Sequence, residues 1–257
     1  MPQYVRYRAG ANISYGLLEG EMVRELRGNL FDHTATAATH ALADVKLLYP
    51  CTPGKILAVG LNYKSHLGDR PAPRSPEIFY KPISCLQNPG DPIVLPRDAQ
   101  NVHYEGELVI VIGKRAKNLS VEQARAAIFG VTCGNDVSER DWQHGANKDL
   151  QWWRAKGSDT FGPLGPSIVT RIDFGNLLLE TRLNGEVVQK QFTSDLMFDG
   201  PTIVSYISGW VTLEPGDLVY TGTPGSTRKM QPGDVVEVEI EGLGLLRSPI
   251  VQQVPLS

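Results

Sequence analysis

Short apolar runs separated by turn residues dominate the hydropathy pattern. Residues 56–60 (Ile-Leu-Ala-Val-Gly) and 108–112 (Leu-Val-Ile-Val-Ile) are continuous apolar stretches of strand length, which predicts two strands buried on both faces. Residues 235–240 (Val-Val-Glu-Val-Glu-Ile) alternate, so a strand with one solvent-facing side is expected there. Residues 217–221 give a further strand. Residues 177–183 and 186–192 flank Asn184-Gly185, the dipeptide that favours a two-residue type I′ turn, and so predict a hairpin. Near the start, residues 4–7 and 13–18 read as strands around Gly10, with corners at Gly16 and Gly20.

Helical signals are few. Ser120 and Gln123 form a capping-box pair that opens a helix expected to run to Phe129 and stop at Gly130. Residues 201–208 predict a second helix, with Pro201 at its start and Gly209 at its end. The Ala/Thr/His-rich stretch 32–44 has room for a short helix without a clear period. Pro50-Cys51-Thr52-Pro53-Gly54 punctuates the chain, which places a boundary between a small N-terminal β-containing subdomain (1–52) and a larger domain (53–257). The Pro-rich stretch 69–76 is too short for a linker and reads as a surface loop or lid.

Composition sharpens this picture. The chain has 257 residues, with 26 glycines and 18 prolines, a turn content that suits a β-rich α+β fold. A net charge of −3 gives no reason to expect a polyanionic partner, so nucleic acid is set aside. No apolar run is long enough to span a bilayer, and no membrane partner is expected. The N-terminus lacks the apolar segment of a secretory signal. Cys51, Cys85 and Cys133 are odd in number and lack metal-knuckle spacing, so reduced thiols and a cytoplasmic location are expected.

Chemistry gathers at a few positions. Glu105 and Glu107 are two apart at the entry to an apolar strand, so their side chains share a face, where two carboxylates repel unless a cation joins them. A solvated strand end is the plain alternative. Asp136 ends another strand-like run and can complete an oxygen-only site or cap a helix. Oxygen ligands favour Mg²⁺, with Mn²⁺ or Ca²⁺ as substitutes, over zinc. Arg140, four residues on, can grip a carboxylate or pair with Glu139 or Asp141. Lys156, among Trp152, Trp153 and Phe161, can polarise a carbonyl or enolate oxygen or lie in solvent. His66 and Asp69, three apart, would face each other on one helical turn and could activate a water; a surface histidine is the alternative. Tyr220-Thr221-Gly222-Thr223-Pro224 is a turn able to present N–H and hydroxyl groups to an anion.

Taken in order, residues 55–66 (K-I-L-A-V-G-L-N-Y-K-S-H), 76–84, 90–96, 104–114 (Y-E-G-E-L-V-I-V-I-G-K), 134–143, 156–166 (K-G-S-D-T-F-G-P-L-G-P), 217–224 and 231–246 resemble the fumarylacetoacetate hydrolase family. The likeness covers roughly residues 55–250 and points to its bacterial branch of acylpyruvate hydrolases, diene-dioate isomerases and decarboxylases. It implies a mixed β-roll or β-sandwich core with few short helices. It implies one divalent metal, usually Mg²⁺, on Glu105, Glu107 and Asp136, with Lys156 beside it and Arg140 and Gln143 on the substrate side. Thr223 would contact a substrate oxygen, and His66 with Asp69 would ride on a mobile lid, open or poorly ordered without ligand. A homodimer is implied as well. Two departures stand out. Asp69 occupies a place where many members carry Glu. Gly225-Ser226-Thr227-Arg228-Lys229 replaces an Ala-Gly-Val-Gly run and adds two cations near the expected mouth. The activity implied is hydrolysis of a C–C bond in a 2,4-diketo acid of the acylpyruvate or fumarylpyruvate type. Oxaloacetate decarboxylation or 2-hydroxy-diene-dioate isomerisation on the same site is the alternative, and a non-catalytic ligand binder comes last.

Overall fold

The Asn184-Gly185 turn forms as the dipeptide demands. Both residues have positive φ (53° and 81°) and join strands Leu178–Leu183 and Glu186–Phe192. This hairpin is the edge of a five-stranded sheet, which continues through Val235–Ile240 and Gly244–Gln252 to Ile93–Leu95. A second, twelve-stranded mixed sheet carries the remaining long strands. The computed structural model describes residues 1–254.

In the centre of the large sheet lie Gly162–Val169, Ile128–Asn135, Gly106–Ile112, Leu218–Tyr220, Ile56–Gly60 and Glu77–Lys81, in that order. Every residue of Gly106–Ile112 is buried, because each face packs on a different core. Leu108, Ile110 and Ile112 join the layer between the two sheets, with Leu179, Val238 and Ile240 opposite. Val109 and Val111 join a second layer with Ile56, Ala58, Leu218 and Tyr220. That two-sided burial is why the strand reads as a continuous apolar run and not as an alternation. Gly106 is required by close approach: a Cβ there would collide with the Thr181 hydroxyl of the five-stranded sheet.

The N-terminal segment is hydrogen-bonded into the same sheet. Gln3–Ala9 pairs with Asn12–Glu19, Lys46–Leu48 and Gly162–Val169. The stretch expected to hold a helix, 32–44, instead forms strand His33–Ala41 and one 3-10 turn, Leu42–Asp44. Its threonines carry no helical apolar stripe, and pairing with Met22–Gly28 at the sheet edge supplies the backbone partners. The Ser120 capping box forms, but the helix is Val121–Ala127 and does not reach Phe129. Ile128 already belongs to a strand, and Gly130 lies inside that strand and not at a helix end. The second helix is Gly200–Trp210; the Asp199 carboxylate accepts from Thr202 N–H at its start, and Gly209 lies within its last turn. Among the described residues no helix is long and apolar enough to cross a membrane.

Candidate active site

Mixed register, antiparallel for two pairings and parallel for the third, brings four segment ends together. Gly106 pairs with Asn135, Val109 with Tyr220, and Tyr220 with Ala58. Glu105 and Glu107, Asp136, the 221–223 turn and the 61–66 segment therefore meet at one end of the central strands. Of these, Leu61, His66, Glu105, Glu107 and Thr223 line a cavity of about 420 Å³, together with Arg70, Arg140, Gln143 and Lys156.

Glu105, Glu107 and Asp136 are buried and offer oxygen atoms that lie within 4.8 Å of one another. The expected face-sharing of Glu105 and Glu107 is therefore realised. Lys156 Nζ donates to Glu105 Oε2 (2.5 Å) and to Asp136 Oδ2 (2.7 Å). Arg140 Nη2 lies 2.6 Å from Glu105 Oε1, and its Nη1 donates to Gln143 Oε1 (2.7 Å). Gly222 N–H donates to Glu107 Oε2 (2.7 Å). Thr223 Oγ1 donates to the Gly106 carbonyl (2.9 Å) and accepts from Gln189 Nε2 (2.8 Å).

The electrostatics separate the carboxylates. Burial alone would raise Glu105, but Lys156 and Arg140 outweigh it and hold the group well below the usual carboxylate range. Glu107 is pushed well above that range by burial and by the Asp136 and Glu105 charges. The donor set is thus oxygen-only, concave and short of positive charge at Glu107. It fits a hard divalent cation, which Glu105, Glu107 and Asp136 would hold.

His66 sits on the 3-10 turn Lys64–His66, folded over the cavity. Its Nδ1 is 2.5 Å from the Gly225 carbonyl, and Gly225 N–H donates to Ser65 Oγ (3.0 Å). A carbonyl only accepts, so Nδ1 carries the proton and Nε2 presents a lone pair, 3.9 Å from Glu105 Oε1. These two contacts tie the 64–66 segment, expected to act as a lid, to the loop at Gly225. Asp69 is not brought to His66. The 3-10 turn ends at His66, Gly68 follows in the left-handed region (φ +58°), and Asp69 is exposed. The i, i+3 expectation assumed a helical turn that Gly68 interrupts. Arg228, one of the two added cations, forms an exposed ion pair with Glu186 (2.5 Å), and neither it nor Lys229 lines the cavity.

Several residues escaped the sequence reading. Lys81, fully buried, donates to Asp136 Oδ1 (2.7 Å), to the Phe161 carbonyl (3.2 Å) and to the Lys156 carbonyl. Burial works against its charge, yet the Asp136 carboxylate prevails and its pKa lies above the ordinary lysine value. The available signal was a lysine closing an apolar strand just before Pro82. His103, whose pKa burial and Arg140 push down to about 4, lines the cavity together with Thr227 and Trp152.

Residues 55–251 match the fumarylacetoacetate (FAA) hydrolase C-terminal family. The chain belongs to the fumarylacetoacetate hydrolase family. Residues 3–50 match a second family, Rv2993c-like, N-terminal. Protein Rv2993c of Mycobacterium tuberculosis is 43% identical over 255 residues, 94% of this chain and 95% of that protein. Oxaloacetate tautomerase FAHD2A, mitochondrial, of Bos taurus is 42% identical over 222 residues, 81% of this chain and 70% of that one. The crystal structure of 2-hydroxyhepta-2,4-diene-1,7-dioate isomerase from Mycobacterium marinum superposes with a TM-score of 0.92 at 41% identity, covering 99% of this chain and 100% of that one. The mixed β architecture expected from the family resemblance is the one this protein adopts.

Proposed function

We propose that this protein is a Mg²⁺-dependent isomerase that moves a proton between carbon and oxygen of a 2-oxo dicarboxylate, interconverting its keto and enol forms. One observation carries the reading. The Gly225 carbonyl takes His66 Nδ1–H and so aims Nε2 of the neutral ring into the cavity, while Asp69, the acid that would assist water attack, is exposed to solvent. Keto–enol exchange needs one positioned proton carrier and no water. The relatives named for tautomerase and isomerase activity support the same reading.

When bound, a divalent cation on Glu105, Glu107 and Asp136 supplies positive charge where the reaction builds negative charge on oxygen. Arg140 binds a substrate carboxylate with the N–H groups that Glu105, Gln143 and Thr227 leave free. Lys156 uses two of its three N–H donors on Glu105 and Asp136, and the third is available to the developing oxyanion. His66 Nε2 takes the proton from the carbon beside the keto group, the Glu105 carboxylate steadies the resulting imidazolium, and the imidazolium returns that proton to the enolate oxygen, giving the enol and the neutral imidazole. Arg70, a second guanidinium on the cavity wall, matches the second carboxylate of a dicarboxylic substrate.

Hydrolysis of a C–C bond in a 2,4-diketo acid is the second reading, because the same Nε2 lone pair can take a proton from water. Homodimer formation and a cytoplasmic location belong with either reading. The deciding assay follows oxaloacetate tautomerisation, a hydroxy-diene-dioate isomerisation, oxaloacetate decarboxylation and acetylpyruvate or fumarylpyruvate cleavage with and without Mg²⁺. Faster cleavage than tautomerisation would reverse the order of the two readings.

A further inference from the structure

We infer that Thr227 and His103 are positioning residues for the Arg140 guanidinium. Thr227 supports it directly, and His103 fixes the direction of the Thr227 hydroxyl. This rests on the reading of Arg140 as the anchor for a substrate carboxylate.

The direction of every hydrogen bond in the chain follows from its far end. The Asp141 carboxylate only accepts, so Asn101 turns its Nδ2 to it (3.1 Å) and leaves its Oδ1 for His103 Nε2 (2.8 Å). Nε2 must then carry the ring proton, and Nδ1 is an acceptor. Thr227 donates its hydroxyl proton to that Nδ1 (2.9 Å) and keeps its lone pairs for Arg140 Nη2 (2.8 Å). Nη2 thereby donates to Thr227 and Nη1 to Gln143 (2.7 Å), while the Glu105 carboxylate holds the same guanidinium as an ion pair, 2.6 Å from Nη2. The fork can no longer rotate, and its unspent N–H groups keep one orientation. A guanidinium held in place loses less entropy when it takes a carboxylate than one free to swing. Thr227 also belongs to the loop whose Gly225 receives His66, so one short loop sets both the base and the anchor.

The test compares Mg²⁺-loaded wild type, Thr227→Val and Thr227→Ser, with Thr227→Ala as the alternative if the valine variant does not fold. Two quantities are read: kcat and KM for oxaloacetate tautomerisation, and the Kd of oxalate by calorimetry. Valine keeps the shape and removes the acceptor, so KM and oxalate Kd should both rise about tenfold, the scale of one charge-assisted hydrogen bond, with kcat within about threefold. Serine should stay within about twofold of wild type. Unchanged KM and Kd in Thr227→Val overturn the positioning role and leave the proposed activity standing. Equal losses in the valine and serine variants, with lowered melting temperatures, also overturn it. Wild type without tautomerase activity, but with a tenfold weaker oxalate affinity in Thr227→Val, removes the activity and retains the positioning role.

Discussion

Glu107 is the carboxylate whose charge this fold compensates least, and Glu107→Gln exposes the consequence. At 4.8 Å, the outer limit of the oxygen separations in the triad, and an effective permittivity of about 20, each like-charge pair costs about 3.5 kcal/mol. Lys156 bridges Glu105 and Asp136, Lys81 adds to Asp136, and Arg140 adds to Glu105. Glu107 receives the Gly222 N–H, a bond that a glutamine oxygen can also accept. Removing a buried charge usually destabilises a protein by several kcal/mol when its partner is left behind. Here the substitution removes repulsion. The chelator-treated variant should melt no lower than wild type, gaining about 3.5 kcal/mol for each of the two like-charge pairs in proportion to the fraction of Glu107 that is ionised.

Metal reverses the ranking. At one hundred times its Kd, Mg²⁺ stabilises wild type by about 2.7 kcal/mol, roughly 5–10 °C for a chain of this size. The variant, with one of three ligands neutral, should gain less than about a third of that. Differential scanning calorimetry of both proteins, with chelator and across a Mg²⁺ titration, reads both arms. An equal metal-induced shift in the two proteins would show that the triad does not hold the ion. A chelator-treated variant more than about 2 kcal/mol below wild type would show that Glu107 is charged and well paired, and the electrostatic argument would fail.

Lys81→Met strands the Asp136 carboxylate in the interior and should cost about 3–5 kcal/mol, a fall in Tm of roughly 10 °C, while Mg²⁺ affinity is retained; a fall under about 3 °C refutes the pairing. His66→Gln should lower kcat about a hundredfold or more with unchanged Mg²⁺ affinity, whereas Asp69→Asn should change kcat less than about threefold; a large loss in the aspartate variant would mean that Asp69 joins His66 during turnover. Burial raises Cys51 and Cys133 to about 12 and Cys85 to about 11, so at pH 8 a disulfide reagent should find no reactive thiol in the native protein and three after denaturation.

What the sequence made legible was local. Asn184-Gly185 sets its own turn, and residues 108–112 announce burial by having no polar face. The Ser120–Gln123 box starts its helix because both hydrogen bonds lie within one turn. Where the helix ends is a tertiary matter, decided when Ile128 is taken into the sheet. The strand at His33–Ala41 is set in the same way by its neighbour. In the site, Glu105 and Glu107 were readable from strand periodicity alone. Lys81 was harder to read, since its partner Asp136 lies 55 residues away and the only local hint is its place at the end of an apolar strand before Pro82. His66 was readable as a candidate, but its real partner is the Gly225 carbonyl, 159 residues on, and not the acid three residues away.

That exchange of partners bears on the chemistry. A carboxylate on Nδ1 would make His66 a stronger base and stabilise its charged form, as suits the attack of water on a carbonyl. A backbone carbonyl fixes the ring and its tautomer but brings no full charge to Nδ1. Abstraction of a proton beside a keto group that cationic groups already polarise needs no more, because the acidity of the carbon is raised by Lys156 and by whatever cation the triad holds. The carboxylate nearest to Nε2 is Glu105, which is also tied to Lys156 and Arg140. On the proposed reading, proton carrier, anchor and oxyanion support would share one buried anion at the mouth of one strand. A change in the position of Glu105 would move all three together, so the register of Gly106–Ile112 and the loop at 225–227 jointly set the spacing between base, anchored carboxylate and enolate oxygen.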